Sequence, residues 1–149
     1  MKAKRGFITA EVISLSDYTF KINTPLFLKE GIDFDISFYE GILKENPYLV
    51  ECLRFLGNAY TAKGMYNEGL EIDKTLSKLR PDDPEVFYNL ACSYSLTQEI
   101  DSAIFTLKKA IDLGYNDVVH MESDSDIDNL RNDKRYKTLV RYLKFNIFF

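Results

Sequence analysis

The sequence predicts an all-α fold of helical hairpins stacked along one axis, and two observations carry that prediction. LRFLGNAY, from Leu53 to Tyr60, returns 34 residues later as FYNLACSY, from Phe87 to Tyr94, and a period of this length marks repeat architectures. Within each unit the apolar residues recur at spacings of three and four, as in helices that bury one face, rather than alternating as in strands.

The register holds along both units. Leu53, Leu56, Gly57 and Tyr60 map onto Phe87, Leu90, Ala91 and Tyr94, and Tyr66, Gly69, Leu70 and Leu79 map onto Ile100, Ala103, Ile104 and Leu113. Large apolar residues fall where helices pack and small ones where they approach. Four helices are expected near residues 48–62, 67–79, 84–96 and 100–113. Asp83 before Pro84 is a start signal, since the carboxylate caps free N–H groups and proline fills a position that needs no donor. Gly64 suits a chain reversal at positive φ.

The patterns L-x2-L-G-x2-Y…G…P (Leu53, Leu56, Gly57, Tyr60, Gly69, Pro81) and F-x2-L-A-x2-Y…A-x3-L (Phe87, Leu90, Ala91, Tyr94, Ala103, Leu107) resemble the tetratricopeptide repeat (TPR). The resemblance implies a right-handed TPR helical-hairpin stack, in which each hairpin covers a face its neighbour cannot bury alone. YEGILKENP, from Tyr39 to Pro47, looks like the second helix of an earlier, incomplete repeat, since Pro47 stands 34 residues before Pro81. The pattern departs from the family at Asp73, usually aromatic, at Leu76 and Ser77, and at Tyr115, where proline is usual.

The domain organisation that follows is an irregular amino-terminal arm over residues 1–32, then a TPR-like domain over 33–149. The latter divides into a partial repeat at 33–49, repeats at 50–83 and 84–117, and a carboxy-terminal cap at 118–149. The cap resembles the end segment of some bacterial TPR proteins: a short helix, an acidic turn and a closing helix. Ile127, Leu130, Tyr136, Leu139 and Tyr142 are expected to cover the open end of the stack, with Arg131, Lys134, Arg135, Lys137 and Arg141 on its wet side. In the arm, FITAEVISL and YTFKI pair as a hairpin in one reading, and residues 7–23 stay open between strand, helix and partner-dependent arm. Ile32, Phe34, Ile36 and Phe38 alternate with polar residues, but the repeat phase demands a helix from about residue 33.

Composition bounds the function. A chain of 149 residues with 46% hydrophobic and 28% charged residues can bury on the order of 70% of its unfolded surface without disulfides or a structural metal. Cys52 and Cys92 are too few for a disulfide framework, which fits a reducing, cytoplasmic setting. Glu11 interrupts the opening apolar run, and no stretch of about 18 apolar residues exists, so neither a secretory leader nor membrane contact is expected. A net charge of −4 argues against a dedicated nucleic-acid binder.

Chemistry-bearing residues are sparse. His120, the only histidine, has no serine or cysteine nucleophile near it in sequence and reads as a solvated or capping residue. Cys52 and Cys92 lack a zinc-ligand spacing, and Cys52 reads as buried and apolar. Asp124, Asp126 and Asp128 invite comparison with a calcium loop, but Asn129 replaces its glycine and Arg135 its closing glutamate; they read as helix caps. Neither metal nor cofactor is expected. Asp73, if inward, needs a donor such as Asn89 or a tyrosine hydroxyl, or else turns outward.

What the resemblance implies for binding is a concave groove lined by the first helix of each repeat. Transferred residue by residue, the groove comprises Glu51, Arg54, Phe55, Asn58 and Thr61, then Glu85, Tyr88, Asn89, Cys92 and Ser95, with Ala62 and Leu96 beside them. Arg54, Asn58 and Asn89 resemble part of the clamp by which some TPR co-chaperones grip a terminal carboxylate, although the next repeat supplies Val119 and Ser123 where cations are required. The function expected is a non-enzymatic adapter or scaffold that binds a protein or peptide segment. The alternative is self-assembly into a homo-oligomer through the arm or through Phe145, Phe148 and Phe149. An enzyme built on His120 and the acidic turn is the third class, and would need converging titratable groups.

Overall fold

A long helix leads into two hairpins and a three-part cap. The structure, a computed structural model, describes residues 25–147. In order these form α1 (Pro25–Glu45), α2 (Val50–Lys63), α3 (Tyr66–Leu79), α4 (Pro84–Leu96), α5 (Ile100–Asp112), α6 (Val118–Ser123), a 3-10 helix (Ser125–Leu130) and α7 (Lys134–Ile147). Helices α2–α3 and α4–α5 are the two repeats, and no strand occurs among the described residues. The strand, helix or arm alternatives for residues 7–23 lie outside them, as do Phe148 and Phe149.

One expectation is corrected at the start. The helix begins at Pro25, not near residue 33, so the alternation from Ile32 to Phe38 belongs to a helix and not a strand: Ile32 and Ile36 lie on the packed face, whereas Phe34 and Phe38 lie on the exposed one. Proline favours a first helical position, and Ile32, Ile36, Tyr39 and Leu43 make a helical stripe that packs on Leu56 and Tyr60 of α2. The Tyr60 hydroxyl donates to Glu40 at 2.5 Å across this contact.

Close approach inside the first hairpin depends on glycine. A Cβ on Gly57 would stand 3.2 Å from Ile72 Cγ2, and one on Gly69 would stand 3.1 Å from Thr61 Oγ1. Both are tighter than ordinary van der Waals contact. Ala91 and Ala103, the equivalents in the second repeat, are fully buried.

The two hairpin turns share one geometry. Gly64 has φ 82°, and Gln98, one period later, has φ 65°. Gly64 N–H donates to Thr61 O at 3.0 Å and Met65 N–H to Tyr60 O at 2.8 Å; Gln98 and Glu99 make the same pair of bonds to Ser95 and Tyr94. The hydrogen bonds fix the backbone whatever the residue, so Gln98 occupies a left-handed conformation that its side chain disfavours. At the start of α4, Asp83 accepts from the backbone N–H of Glu85 at 3.0 Å and of Val86 at 3.3 Å, as the Asp83–Pro84 signal predicts.

The cap adds core as well as cover. Met121, Ile127 and Leu130 are fully buried in one cluster with Leu107, and burial of such side chains contributes about 1.5–3 kcal/mol each. Tyr136 donates its hydroxyl to Met121 O at 3.1 Å. Two cap expectations are corrected. Tyr142 is 58% exposed, whereas Val140 and Leu143 are buried, because the inward stripe of α7 runs through Tyr136, Leu139, Val140 and Leu143 and turns Tyr142 away. Arg131 is half-buried and donates to Met121 O at 3.3 Å and Asp124 O at 2.7 Å, so it fastens the acidic turn.

Candidate functional site

Among the described residues, three depressions are lined in part by the expected groove residues. A cavity of about 510 Å³ lies between the start of α2 and the α3–α4 turn, lined by Glu51, Arg54, Arg80, Pro81 and Asp83 among others. A second, of about 520 Å³, is lined by Glu85, Tyr88, Asn89, Tyr115, Asp117 and His120 among others. These are one feature repeated: Glu85, Tyr88, Tyr115 and Asp117 stand one period after Glu51, Arg54, Pro81 and Asp83.

The repeated depression is chemically different in its two copies. In the first, Arg54 forms an ion pair with Asp83 at 2.6 Å. Burial raises the Asp83 carboxyl, but the Val86 N–H and the Arg54 guanidinium outweigh it and hold the group below its ordinary range. In the second, Tyr88 and Tyr115 stack with ring centroids 4.2 Å apart and planes within 5°, so Tyr115, one period after Pro81, is a packing partner. Burial, then the neighbouring Cys92 and Asp124, pushes the Tyr88 hydroxyl far up, and it remains a donor.

The third depression, of about 410 Å³, spans both repeats and the cap. Asn58, Thr61, Asn89, Cys92 and Leu96 line it from α2 and α4, opposite His120, Asp124 and Asp126, with Asp73 at its base. Asp124 is its most connected group. One carboxylate oxygen accepts from the Tyr88 hydroxyl at 2.8 Å and the Cys92 thiol at 3.6 Å, with His120 Nε2 at 3.5 Å. The other accepts the Asp126 N–H at 2.9 Å, which starts the 3-10 helix. Burial foremost, then Asp124, pushes the Cys92 thiol well up; it is a buried, protonated donor. Asp126 is raised by burial and then by Asp124 and Asp128, with His120 opposing.

Asp73 is inward and buried, and its donor is Ser93, at 2.5 Å, in place of the Asn89 or tyrosine hydroxyl expected. Burial lifts its carboxyl to about 6, against the lowering effects of Ser93 and Arg54. Asn89 is left exposed.

The ten groove residues therefore divide. Asn58, Thr61, Asn89 and Cys92 meet in the central depression, while Glu85, Tyr88 and Asn89 line the second and Glu51 and Arg54 the first. Phe55 stacks on Tyr39 with centroids 5.3 Å apart and lines none of the three. Ser95 is corrected outright: it is fully buried, and its carbonyl accepts from Asn129 of the cap at 2.9 Å. The carboxylate clamp loses its cation, since Arg54 is held by Asp83.

Residues absent from the expected groove, namely Asp73, His120, Asp124 and Asp126, give it its charge. Val119 is 80% exposed and Ser123 is exposed too; neither lines the groove, which His120 and Asp124, one residue further on, do. Asp117 caps α6 by accepting the His120 N–H at 2.9 Å. Among the described residues no group of three or more His, Cys, Asp or Glu side chains is arranged to hold a metal ion, and no helix is long and apolar enough to cross a membrane.

No family model matches the chain. A curated chloroplastic protein of Arabidopsis thaliana is 32% identical over 88 residues, which cover 57% of this chain and 26% of that protein. The matched stretch thus spans about a quarter of that relative. Among solved structures, MamA from Desulfovibrio magneticus RS-1 has a TM-score of 0.60 at 16% identity, covering 81% of this chain and 71% of its own. Another MamA crystal structure has a TM-score of 0.56 at 26% identity, covering 80% of this chain and 70% of its own.

Proposed function

We propose that this stack of helical hairpins, similar in fold to MamA, is a tetratricopeptide-repeat protein acting as a non-enzymatic interaction module that holds an extended, positively charged segment of a partner protein on its concave face. The observation that carries this proposal is the central depression of about 410 Å³, where carboxylates and amides from both repeats and the cap converge.

The chemistry of the lining favours cations. Asp126 carries a charge that burial and two neighbouring carboxylates disfavour, and an incoming lysine or arginine side chain would relieve that repulsion. A terminal carboxylate would add to it. Asn58 and Asn89, both exposed, each offer donors and acceptors to a peptide backbone. Asp124 is fixed by Tyr88, Cys92, His120 and the Asp126 N–H before any ligand arrives, so the ligand bears most of the ordering entropy. We also infer a reducing, cytoplasmic setting, which the free thiols of Cys52 and Cys92 support.

Fluorescence anisotropy with labelled lysine- and arginine-rich peptides tests the proposal against glutamate-rich controls of equal length. Preference for the basic peptides, weakened by salt and by Asn58→Ala with Asn89→Ala, is the expected result. Equal affinity for both peptide classes would remove the charge assignment. Affinity capture with the wild-type chain and the same double variant, read by mass spectrometry, would then identify the partner.

A further inference from the structure

The repeated depression keeps its carboxylates and loses its arginines. In the first copy Arg54 and Arg80 share the lining with Glu51 and Asp83, and Arg54 pairs with Asp83 at 2.6 Å. One period later the acids recur as Glu85 and Asp117, whereas Tyr88 and Gly114 stand in place of the two arginines. A Cβ on Gly114 would meet nothing within 4 Å, so the place that carries an arginine in the first copy is open in the second. Among the described residues neither Glu85 nor Asp117 has an ion-pair partner.

We propose that the second depression, of about 520 Å³, is a separate site for a lysine or arginine side chain of the partner, so that the bound segment carries two neighbouring cations, one here and one in the central depression. This rests on the proposed binding of a basic segment and adds to it a second cation at a set spacing.

The first copy shows what this arrangement of acids holds. A guanidinium or ammonium entering the second copy supplies the charge that Arg54 gives Asp83 internally, with Glu85 and Asp117 as acceptors. The stacked Tyr88 and Tyr115 rings, with centroids 4.2 Å apart, add aromatic surface that attracts a cation. Asn89 and His120 line both this depression and the central one, so the two adjoin. Along α4 the second depression is bordered from Pro84 to Asn89 and the central one from Asn89 to Leu96, which puts their midpoints roughly 9 Å apart at 1.5 Å per residue. Residues two or three positions apart in an extended segment are separated by roughly 7–10 Å. The partner motif is therefore two basic residues with one or two others between them.

Fluorescence anisotropy of the full chain with otherwise uncharged peptides of equal length tests the assignment. The peptides carry one arginine, two arginines two or three positions apart, or two arginines separated by roughly 27 Å of extended chain. The close pair should bind at least about tenfold tighter than the single arginine, and the distant pair within about threefold of it. Glu85→Gln with Asp117→Asn, which keeps a capping side chain on α6, should bring the close pair down to the level of the single arginine. The single-arginine affinity should stay within about threefold in that variant, because the central depression is untouched; Glu85→Lys serves if the double variant alters helix content. Close and distant pairs that bind alike, or a close pair whose advantage survives in the variants, would overturn the second site and leave the basic-segment reading standing. Glutamate-rich peptides that bind as well as the arginine peptides would overturn both.

Discussion

Ser93 donates its hydroxyl to Asp73 at 2.5 Å across the contact between the two repeats, and this buried pair makes the stack sensitive to pH. The Asp73 carboxyl is raised to about 6, chiefly by burial, so between roughly pH 4 and 6 the folded chain binds more protons than the unfolded one. Stability contributed by the neutral acid is therefore complete below its unfolded pKa and is lost as pH rises through about 6.

Asp73→Asn should flatten that dependence. A rise of this size corresponds to about 3 kcal/mol, and chemical denaturation at pH 4 and pH 7 should show the wild type losing up to that amount relative to the variant. An equal pH slope in both proteins would mean that Asp73 is not the group responsible.

Gln98 repeats the backbone of Gly64 without its glycine. Gln98→Gly should remove the left-handed penalty, set against glycine's greater freedom in the unfolded chain, for a net stabilisation of about 0.5–1 kcal/mol. Thermal melts read this as a rise of about 1–4 °C in a domain of this size. A lower melting temperature would show that the turn is not under strain.

Asp83 serves both the amino-terminal cap of α4 and the ion pair to Arg54. Asp83→Ala should cost about 1–2 kcal/mol, most of it from the cap, whereas Arg54→Ala should cost less than about 1 kcal/mol because the pair is partly solvated. The Asp83 carboxyl is held low, so its contribution is present above its unfolded pKa and is lost as pH falls through the folded value. Denaturation of both variants at neutral pH, and of wild type toward acid, checks the ordering.

Tyr88→Phe keeps the stack on Tyr115 but removes a hydrogen bond to Asp124. A loss of about 1.5–3 kcal/mol is expected, since the acceptor is charged. Asp124 would also be freer to move, so affinity for a basic peptide should fall as well. Unchanged stability and affinity would show that Asp124 is held by its other partners.

The fold was legible because its packing repeats. Leu53 and Phe87, Leu56 and Leu90, and Tyr60 and Tyr94 solve the same steric problem at the same place in each hairpin, so the period is written in residue size. Asp83–Pro84 and Gly64 are local backbone signals and needed no tertiary information. The groove was only half legible, because equal repeat positions meet unequal neighbours. Thr61 lines the central depression, whereas Ser95, at the same position of the next repeat, is sealed by Asn129 of the cap. The acidic wall arises where α6 ends after six residues and the chain turns through Asp124. That short helix brings His120 and Asp124 to the groove, where the repeat register expected Val119 and Ser123. Asp124 meets Tyr88 and Cys92 from more than 30 residues away, and no local pattern announces such a meeting. The start of α1 was obscured because Phe34 and Phe38 are apolar on the exposed face of the helix, which turns the spacing of its packed face into the alternation of a strand.

Amide chemical-shift mapping of the full chain, titrated with a lysine- and arginine-rich peptide, tests the concave-face assignment most directly. Shifts should concentrate at Asn58, Thr61, Asn89, Leu96 and His120 and vanish in the Asn58→Ala, Asn89→Ala variant. Shifts confined to the exposed sides of α3 and α5, around Glu71 and Phe105, would contradict it.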